Sequence, residues 1–225
     1  MILRSPEQND MTFQKYPEQT VCFTGHRPGK FLDTPIHSED ITLNTIQTLL
    51  TMLIADTYEK GKRFFITGMA KGVDLWAGET LLYMQQFLSD IHMIAAVPHA
   101  AHEASFRGKE AELLRKIANA ADAVVCISET PSRWCYLRRN DYMLKYSGML
   151  LAVQHTQEGG TAYTIDKAQK KDIRRRILDL HDYNCLVPLM ERYPDVYRMH
   201  MPSQRYAFFQ KYPRLLYQCG LLYED

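Results

Sequence analysis

An α/β architecture, with an open and mainly parallel sheet covered by helices on both faces, is what this sequence predicts, and three observations carry that expectation. Short apolar, β-prone runs alternate five times with stretches of helical periodicity. Three of those runs end in glycine-bearing turns: VCFTGHRPGK at 21–30, FFITGMAKGVDLWAGE at 64–79, and EGGTAY at 158–163 after the apolar run MLLAV. In a parallel sheet these turns fall on one edge, the edge at which open α/β sheets bind ligands. With 225 residues, 46% of them hydrophobic, the chain has material for one sizeable core.

The elements follow in order. Residues 1–18 are polar, hold Pro6 and Pro17 and show no period, which predicts a loosely held N-terminal arm. Residues 20–24 are the first strand. At its exit Gly25 precedes His26, Arg27 and Pro28, a group suited to anion contact through Arg27 or to a stiff loop tip, with His26 structural. Residues 38–60 carry Ile41, Leu43, Ile46, Leu49, Leu50, Leu53 and Ile54 at helical spacing, with Gly61 as the stop. The strand at 63–67 then feeds the central turn, in which Gly68, Met69, Ala70 and Gly72 lead into a helix opening at Val73. This is the layout of a phosphate cradle: free N–H groups and the positive end of a helix dipole favour an anion, and a missing Cβ lets it approach. Asp74, in the first helical turn, either stabilises that dipole or accepts a hydrogen bond from a ribose hydroxyl.

A third strand at 91–97 ends at Pro98 and His99, and residues 104–121 have a helical composition. His99 and His102 have no carboxylate or cysteine at ligand spacing, so no metal site is read. A fourth strand at 123–128 precedes SRWCYLRRNDYMLKYSG at 132–148. Here Arg133, Arg138 and Arg139 mix with Trp134, Tyr136 and Tyr142, a combination that grips phosphate and stacks a base. The same pattern also fits a helix with Leu137, Met143 and Leu144 on its apolar face; within it, Arg139 and Asn140 are the functional candidates. The fifth strand, 149–153, leads through Gly159, Gly160 and Thr161 into a helix at 161–169, and 173–180 fits a strand or a helix. The main domain thus spans 19–180. From 181 to 225 aromatic residues interleave with prolines, which predicts an appendage packed on the core or a self-association surface.

A net charge of +1 offers no global attraction to nucleic acid or membrane, so any basic site is local. The five cysteines are scattered and lack ligand spacing, which fits reduced thiols and a cytoplasmic setting. No membrane span, signal peptide or cofactor is expected.

CFTGHRP at 22–28, TGMAKGVD at 67–74, RRNDYM at 138–143 and GGTAYTIDKA at 159–168 together resemble the SLOG superfamily, which includes DprA/Smf, the LOG phosphoribohydrolases and the YpsA-like proteins. The order of the four motifs is most similar to the YpsA-like branch, over residues 19–172. The resemblance implies a Rossmann-like fold, a nucleotide-type ligand and a homodimer. LOG enzymes use an arginine in an R-K-x-x-M segment and a glutamate in a P-G-G-x-G-T-x-x-E segment. Arg139 matches the arginine, but Asn140 replaces the lysine and Thr164 stands where the glutamate belongs. A threonine hydroxyl neither activates water nor offsets charge on the sugar. Glu158 and Asp166 are the nearest carboxylates, and with Arg139 they complete the catalytic candidates.

The leading expectation is therefore a domain that binds or senses a nucleotide-derived small molecule, ADP-ribose-like or a nucleoside monophosphate. Its phosphate rests on the Gly68–Gly72 and Gly159–Thr161 turns, Arg27 and Arg139 supply charge, and Asp74 or Asn140 addresses ribose or base. The alternatives are nucleoside 5′-monophosphate N-glycosidase activity and, less favoured at this net charge, DprA-like single-stranded DNA binding.

Overall fold

The computed structural model of the chain describes residues 3–6, 11–32, 39–180 and 186–224. The strands are β1 (Leu3–Arg4), β2 (Thr20–Gly25), β3 (Phe64–Thr67), β4 (His92–Val97), β5 (Ala123–Cys126), β6 (Met149–Gln154), β7 (Arg174–Asp179) and β8 (Leu222–Glu224). The helices are α1 (Pro28–Leu32), α2 (Glu39–Glu59), α3 (Val73–Met84), α4 (Gly108–Ala120), α5 (Cys135–Lys145), α6 (Gly159–Lys170), α7 (Val187–Arg192), α8 (Pro202–Lys211) and α9 (Leu215–Gln218). One sheet runs in the order β1-β5-β4-β3-β2-β6-β7-β8. Every neighbouring pair is parallel except β7 and β8. The five predicted strands are β2 to β6, and 173–180 resolves as the strand β7.

The strand runs are nearly all apolar because both faces of the sheet are covered. Val21, Phe23, Phe65, Met93, Leu151 and Val153 share one core with side chains of α2, α3 and α4. The alternate residues Cys22, Ile66, Ile94 and Leu150 meet Tyr142, Met143 and Leu144 of α5 and Ala168 of α6 on the other side. This two-sided covering is the Rossmann-like layout. The helix expected over 104–121 is shorter, because Arg107 is extended (φ −140°) and the turn at Gly108 takes φ +52°. A single 3-10 turn, His102–Ser105, precedes that break.

The N-terminal segment contributes more than its polar pattern predicts, and the C-terminal extension packs on the core. Residues 3–4 add a strand to the β5 edge, and Met11 and Phe13, 4% and 3% exposed, enter the second core. The described part of the N-terminal arm is therefore packed rather than loose; residues 1–2 and 7–10 lie outside the described residues, as do Ser38 at the start of the α2 pattern and residues 181–185, the expected start of the aromatic extension. From residue 186 the extension lies against the core. Phe208, Phe209, Leu215 and Leu216 join the cluster that contains α2. Arg205, 2% exposed, fastens α8 through Glu79 at 3.3 Å, the carbonyls of Met199 (3.1 Å) and His200 (3.0 Å), and Gln47. Among the described residues no helix is long and apolar enough to cross a membrane.

Candidate functional site

From β2 the chain builds outward through β3, β4 and β5, then returns to place β6 on the other flank of β2. The carboxyl ends of β2 and β6 therefore diverge into the crevice where open α/β sheets hold ligands. A pocket of about 330 Å³ opens there. Phe23, Thr24 and Gly25 of β2 form its floor, Arg27 and Lys30 one rim, and Glu158, Gly159, Gly160 and Thr161 the start of α6; Tyr136, Leu137, Arg139 and Asn140 of α5 face them, with Ala70 and Asp74 between. His26, 5% exposed, bridges the two sides by accepting from the Thr156 N–H at 3.1 Å, the structural role predicted for it. Burial lowers its pKa below the ordinary histidine value.

The central turn is used differently from its sequence reading. Asp74, 7% exposed, accepts from the N–H groups of Gly68 (3.4 Å) and Ala70 (3.3 Å), and the Met69 N–H donates to Thr67 Oγ1 at 3.3 Å. Three of the donors that the cradle reading aimed at a phosphate, those of Gly68, Met69 and Ala70, are thus taken up inside the protein. Of this turn only Ala70 and Asp74 line the pocket; Gly68, Met69 and Gly72 do not. Both Asp74 oxygens are engaged in closing the turn, the stabilising role of the two the sequence allows, and the carboxylate still lines the pocket. Burial raises its pKa, against the pull of Arg139 and the two amides.

The glycines serve close packing. A Cβ on Gly68 would lie 2.5 Å from Arg139 Nη1, and one on Gly25 would lie 2.3 Å from Val73 Cγ2. Gly72 takes φ +87°, and a Cβ there would lie 2.7 Å from the His26 carbonyl oxygen. Gly72→Ala is expected to cost roughly 1–3 kcal/mol of stability, read by chemical denaturation, because strain and a backbone clash coincide. An unchanged denaturation midpoint would show that the turn relaxes freely.

Arg139, 6% exposed, crosses beneath this turn. Its Nη1 donates to the Gly68 carbonyl, its Nε donates to Asn140 Oδ1 at 2.8 Å, and Nη1 lies 3.9 Å from Asp74 Oδ2. Burial lowers its pKa and Asp74 opposes that shift. The Nη2 group has no hydrogen-bond partner among the described residues, and the side chain reaches the pocket wall. Asn140 Nδ2 in turn donates to Thr164 Oγ1 at 2.8 Å, and Thr164 donates to the Gly160 carbonyl at 2.7 Å. The two departures from the LOG pattern, Asn140 and Thr164, meet as a neutral hydrogen-bonded pair.

At α6 the situation is open. Gly159 takes φ +77°, and Cβ atoms built on Gly159 and Gly160 meet nothing within 4 Å. No acidic residue occupies the first turn, and no side chain caps it. Glu158 precedes that turn on the pocket wall, but Asp166 is exposed, paired with Lys170 at 2.7 Å, and lies outside the pocket. The catalytic candidates are therefore not brought together: Arg139 and Glu158 share the pocket and Asp166 does not.

Sequence reasoning missed Lys30 as a pocket cation; its only local signal is its place two residues beyond Pro28 in the first glycine turn. It also missed His102, 4% exposed, whose Nε2–H donates to the carbonyl of Met69 at 2.9 Å and so supports a residue held at φ +60°. Among the described residues no group of three or more His, Cys, Asp or Glu is arranged to hold a metal.

A family model described as the YspA SLOG family matches residues 21–182. A UPF0398 protein of Bacillus cereus is 27% identical over 176 residues, which are 75% of this chain and 90% of that one. A UPF0398 protein of Halalkalibacterium halodurans is 26% identical over 131 residues, 55% of this chain and 69% of the relative. Among solved structures, DNA processing protein A of Helicobacter pylori, reported for its single-stranded DNA binding mode, superposes with a TM-score of 0.49 at 19% identity, over 74% of this chain and 67% of that one. DNA processing protein A of Streptococcus pneumoniae gives 0.45 at 17% identity; the match covers 74% of this chain but only about half, 51%, of the other.

Proposed function

Since the chain belongs to the YpsA-type SLOG family, we propose that it binds or senses a nucleotide-derived small molecule, a nucleoside monophosphate or an ADP-ribose-like compound, in the pocket between β2 and β6. The phosphate rests on the first-turn amides of α6 at Gly159, Gly160 and Thr161, where the helix dipole favours an anion. Arg27, Lys30 and the Nη2 group of Arg139 add positive charge around it. Tyr136 on the α5 wall offers a ring for the base.

The observation that carries binding over cleavage is the hydrogen bond from Asn140 to Thr164 at 2.8 Å. It puts a neutral pair where LOG enzymes have a lysine and the glutamate their reaction requires, so no carboxylate sits on α6 facing Arg139. N-glycosidase activity is kept as a second reading on one observation, that Glu158 lines the same pocket. Binding of single-stranded nucleic acid and assembly into a homodimer are further proposals of the family resemblance.

Thermal unfolding against AMP, ADP-ribose, NAD and a short single-stranded oligonucleotide tests these readings. A ligand at about a hundred times its dissociation constant stabilises by roughly 2.7 kcal/mol. A shift with a mononucleotide or ADP-ribose, with the base still attached on chromatography, is the expected result. Arg27 is exposed and holds no ion pair among the described residues. Arg27→Gln is therefore expected to leave the unliganded melting temperature unchanged while weakening the ligand about tenfold. Release of free base would transfer the role to Glu158, and a shift with the oligonucleotide alone would sink both small-molecule readings.

A further inference from the structure

At the edge of the sheet opposite this pocket, the starts of β6 and β7, the end of α2 and the strand β8 surround a second cavity of about 380 Å³, lined chiefly by Lys60, Lys62, Arg174, Arg176 and Glu224. Arg176 is fully buried. Its Nε meets Glu224 at 2.5 Å, its Nη2 meets Asp56 at 2.6 Å, and its Nη1 donates to Thr57 Oγ1 at 2.7 Å. Lys60 shares the same two carboxylates, with Asp56 at 3.1 Å and Glu224 at 3.5 Å.

Lys62 and Arg174 have no carboxylate partner among the described residues; Lys62 Nζ donates to the Glu18 carbonyl. Burial, and then the charge of Arg174, lower the pKa of Lys62 below the ordinary lysine value. Four cations thus converge on one concavity: Asp56 and Glu224 pair with Arg176 and Lys60, while Lys62 and Arg174 form no ion pair among the described residues and the Glu18 charge acts on Lys62 from outside the cavity lining. A concave surface with a surplus of one charge concentrates the opposite one.

We propose that this cavity is a second anion site that takes a phosphate group, and that Glu224 of β8 is a built-in competitor for it. The Glu224 carboxylate meets Arg176, Lys60 and the Tyr217 hydroxyl (3.1 Å) there, whereas a tetrahedral phosphate has further oxygens to accept from Arg174 and Lys62. Binding draws Arg176 and Lys60 away from Glu224 and so loosens the pairing of Arg176 with Glu224 that sets the register of β8 on β7. The phosphate belongs either to a small molecule or to a nucleic-acid backbone, and both present the same oxygens.

Titration calorimetry with pyrophosphate, and separately with a short single-stranded oligonucleotide, tests the proposal on the full chain at low and moderate salt. Four proteins are compared: the parent, Arg27→Gln, the double variant Lys62→Gln/Arg174→Gln, and Glu224→Gln. Pyrophosphate binding is expected to persist in Arg27→Gln, to weaken about tenfold in the double variant, and to tighten several-fold in Glu224→Gln, because a competing charge is gone. Tightening is the diagnostic readout, since a purely structural Glu224 would give unchanged or weaker binding. Oligonucleotide binding that shows the same pattern more strongly assigns the phosphate to a backbone; binding of pyrophosphate alone assigns it to a small molecule. Binding abolished by Arg27→Gln and untouched by the double variant would place the anion in the switch-point pocket only and overturn the proposal. Failure at this site leaves the nucleotide reading of that pocket standing, because the two are lost with different variants.

Discussion

Asp74→Ala is expected to lower the unfolding free energy by about 3–5 kcal/mol, the range observed when one partner of a buried ion pair is removed. Asp74 and Arg139 are 7% and 6% exposed, so neither charge is satisfied by solvent. The carboxylate also closes the central turn through the amides of Gly68 and Ala70, and alanine would leave those donors unpartnered and the guanidinium without its counter-charge. Asp74→Asn keeps one acceptor oxygen without the charge and is expected to lose less. Urea denaturation of both variants gives the comparison, and an alanine variant within about 1 kcal/mol of the parent would refute the clasp role. A functional effect accompanies the loss. Arg139 reaches the pocket from beneath this turn, so releasing it misplaces the cation that faces α6 and is expected to weaken the proposed nucleotide binding in whatever fraction still folds.

Between pH 6.5 and 4 stability is expected to fall by up to about 3 kcal/mol through His102 alone, since one unit of pKa shift is worth 1.36 kcal/mol. The sign follows from burial. Desolvation lowers the His102 pKa from 6.5 to about 4, against the pull of the Met69 carbonyl, and the positive charge of Arg139 adds to the lowering. In this interval the unfolded chain takes up a proton that the folded chain refuses. The contribution is therefore complete above pH 6.5 and is lost as pH falls to about 4. His26, whose pKa burial also lowers, adds a loss of the same sign. His102→Gln retains an N–H donor for Met69 but has nothing to titrate, so its stability profile from pH 7 to 4.5 is expected to be flatter than the parent's. Parallel profiles would show that His102 is not the responsible group.

Much of the framework is legible in sequence because it depends on local pattern. The runs that became β2 to β6 are apolar and β-prone over four to six residues, and α2 shows its spacing over 21. Edge strands are another matter: β1 has two residues and β8 three, too short for any period to register. Their pairing partners, β5 and β7, lie far away in sequence for β1 and across the three helices α7, α8 and α9 for β8. The pocket shows the same division. Gly25, Arg27, Ala70, Arg139, Asn140 and the Gly159–Thr161 turn are brought together at its walls as the motifs suggest. Asp166 is not, because helix rotation turns it to solvent beside Lys170.

The resemblance located Asn140 and Thr164 as departures from a catalytic pattern, but only the packing of α5 on α6 shows that they satisfy each other at 2.8 Å. In the same way the glycine turn before α3 and the one at α6 look equally suited to phosphate along the chain. What distinguishes them is a carboxylate folded back onto the first and empty space before the second. Sequence alone determined the alternation of strands and helices, the family motifs and the edge on which the turns gather, since each is set by residues a few positions apart. Tertiary structure decided the strand order, the packed termini and which backbone donors remain free, because a hydrogen-bonding group is spent or available according to neighbours that arrive from elsewhere in the chain.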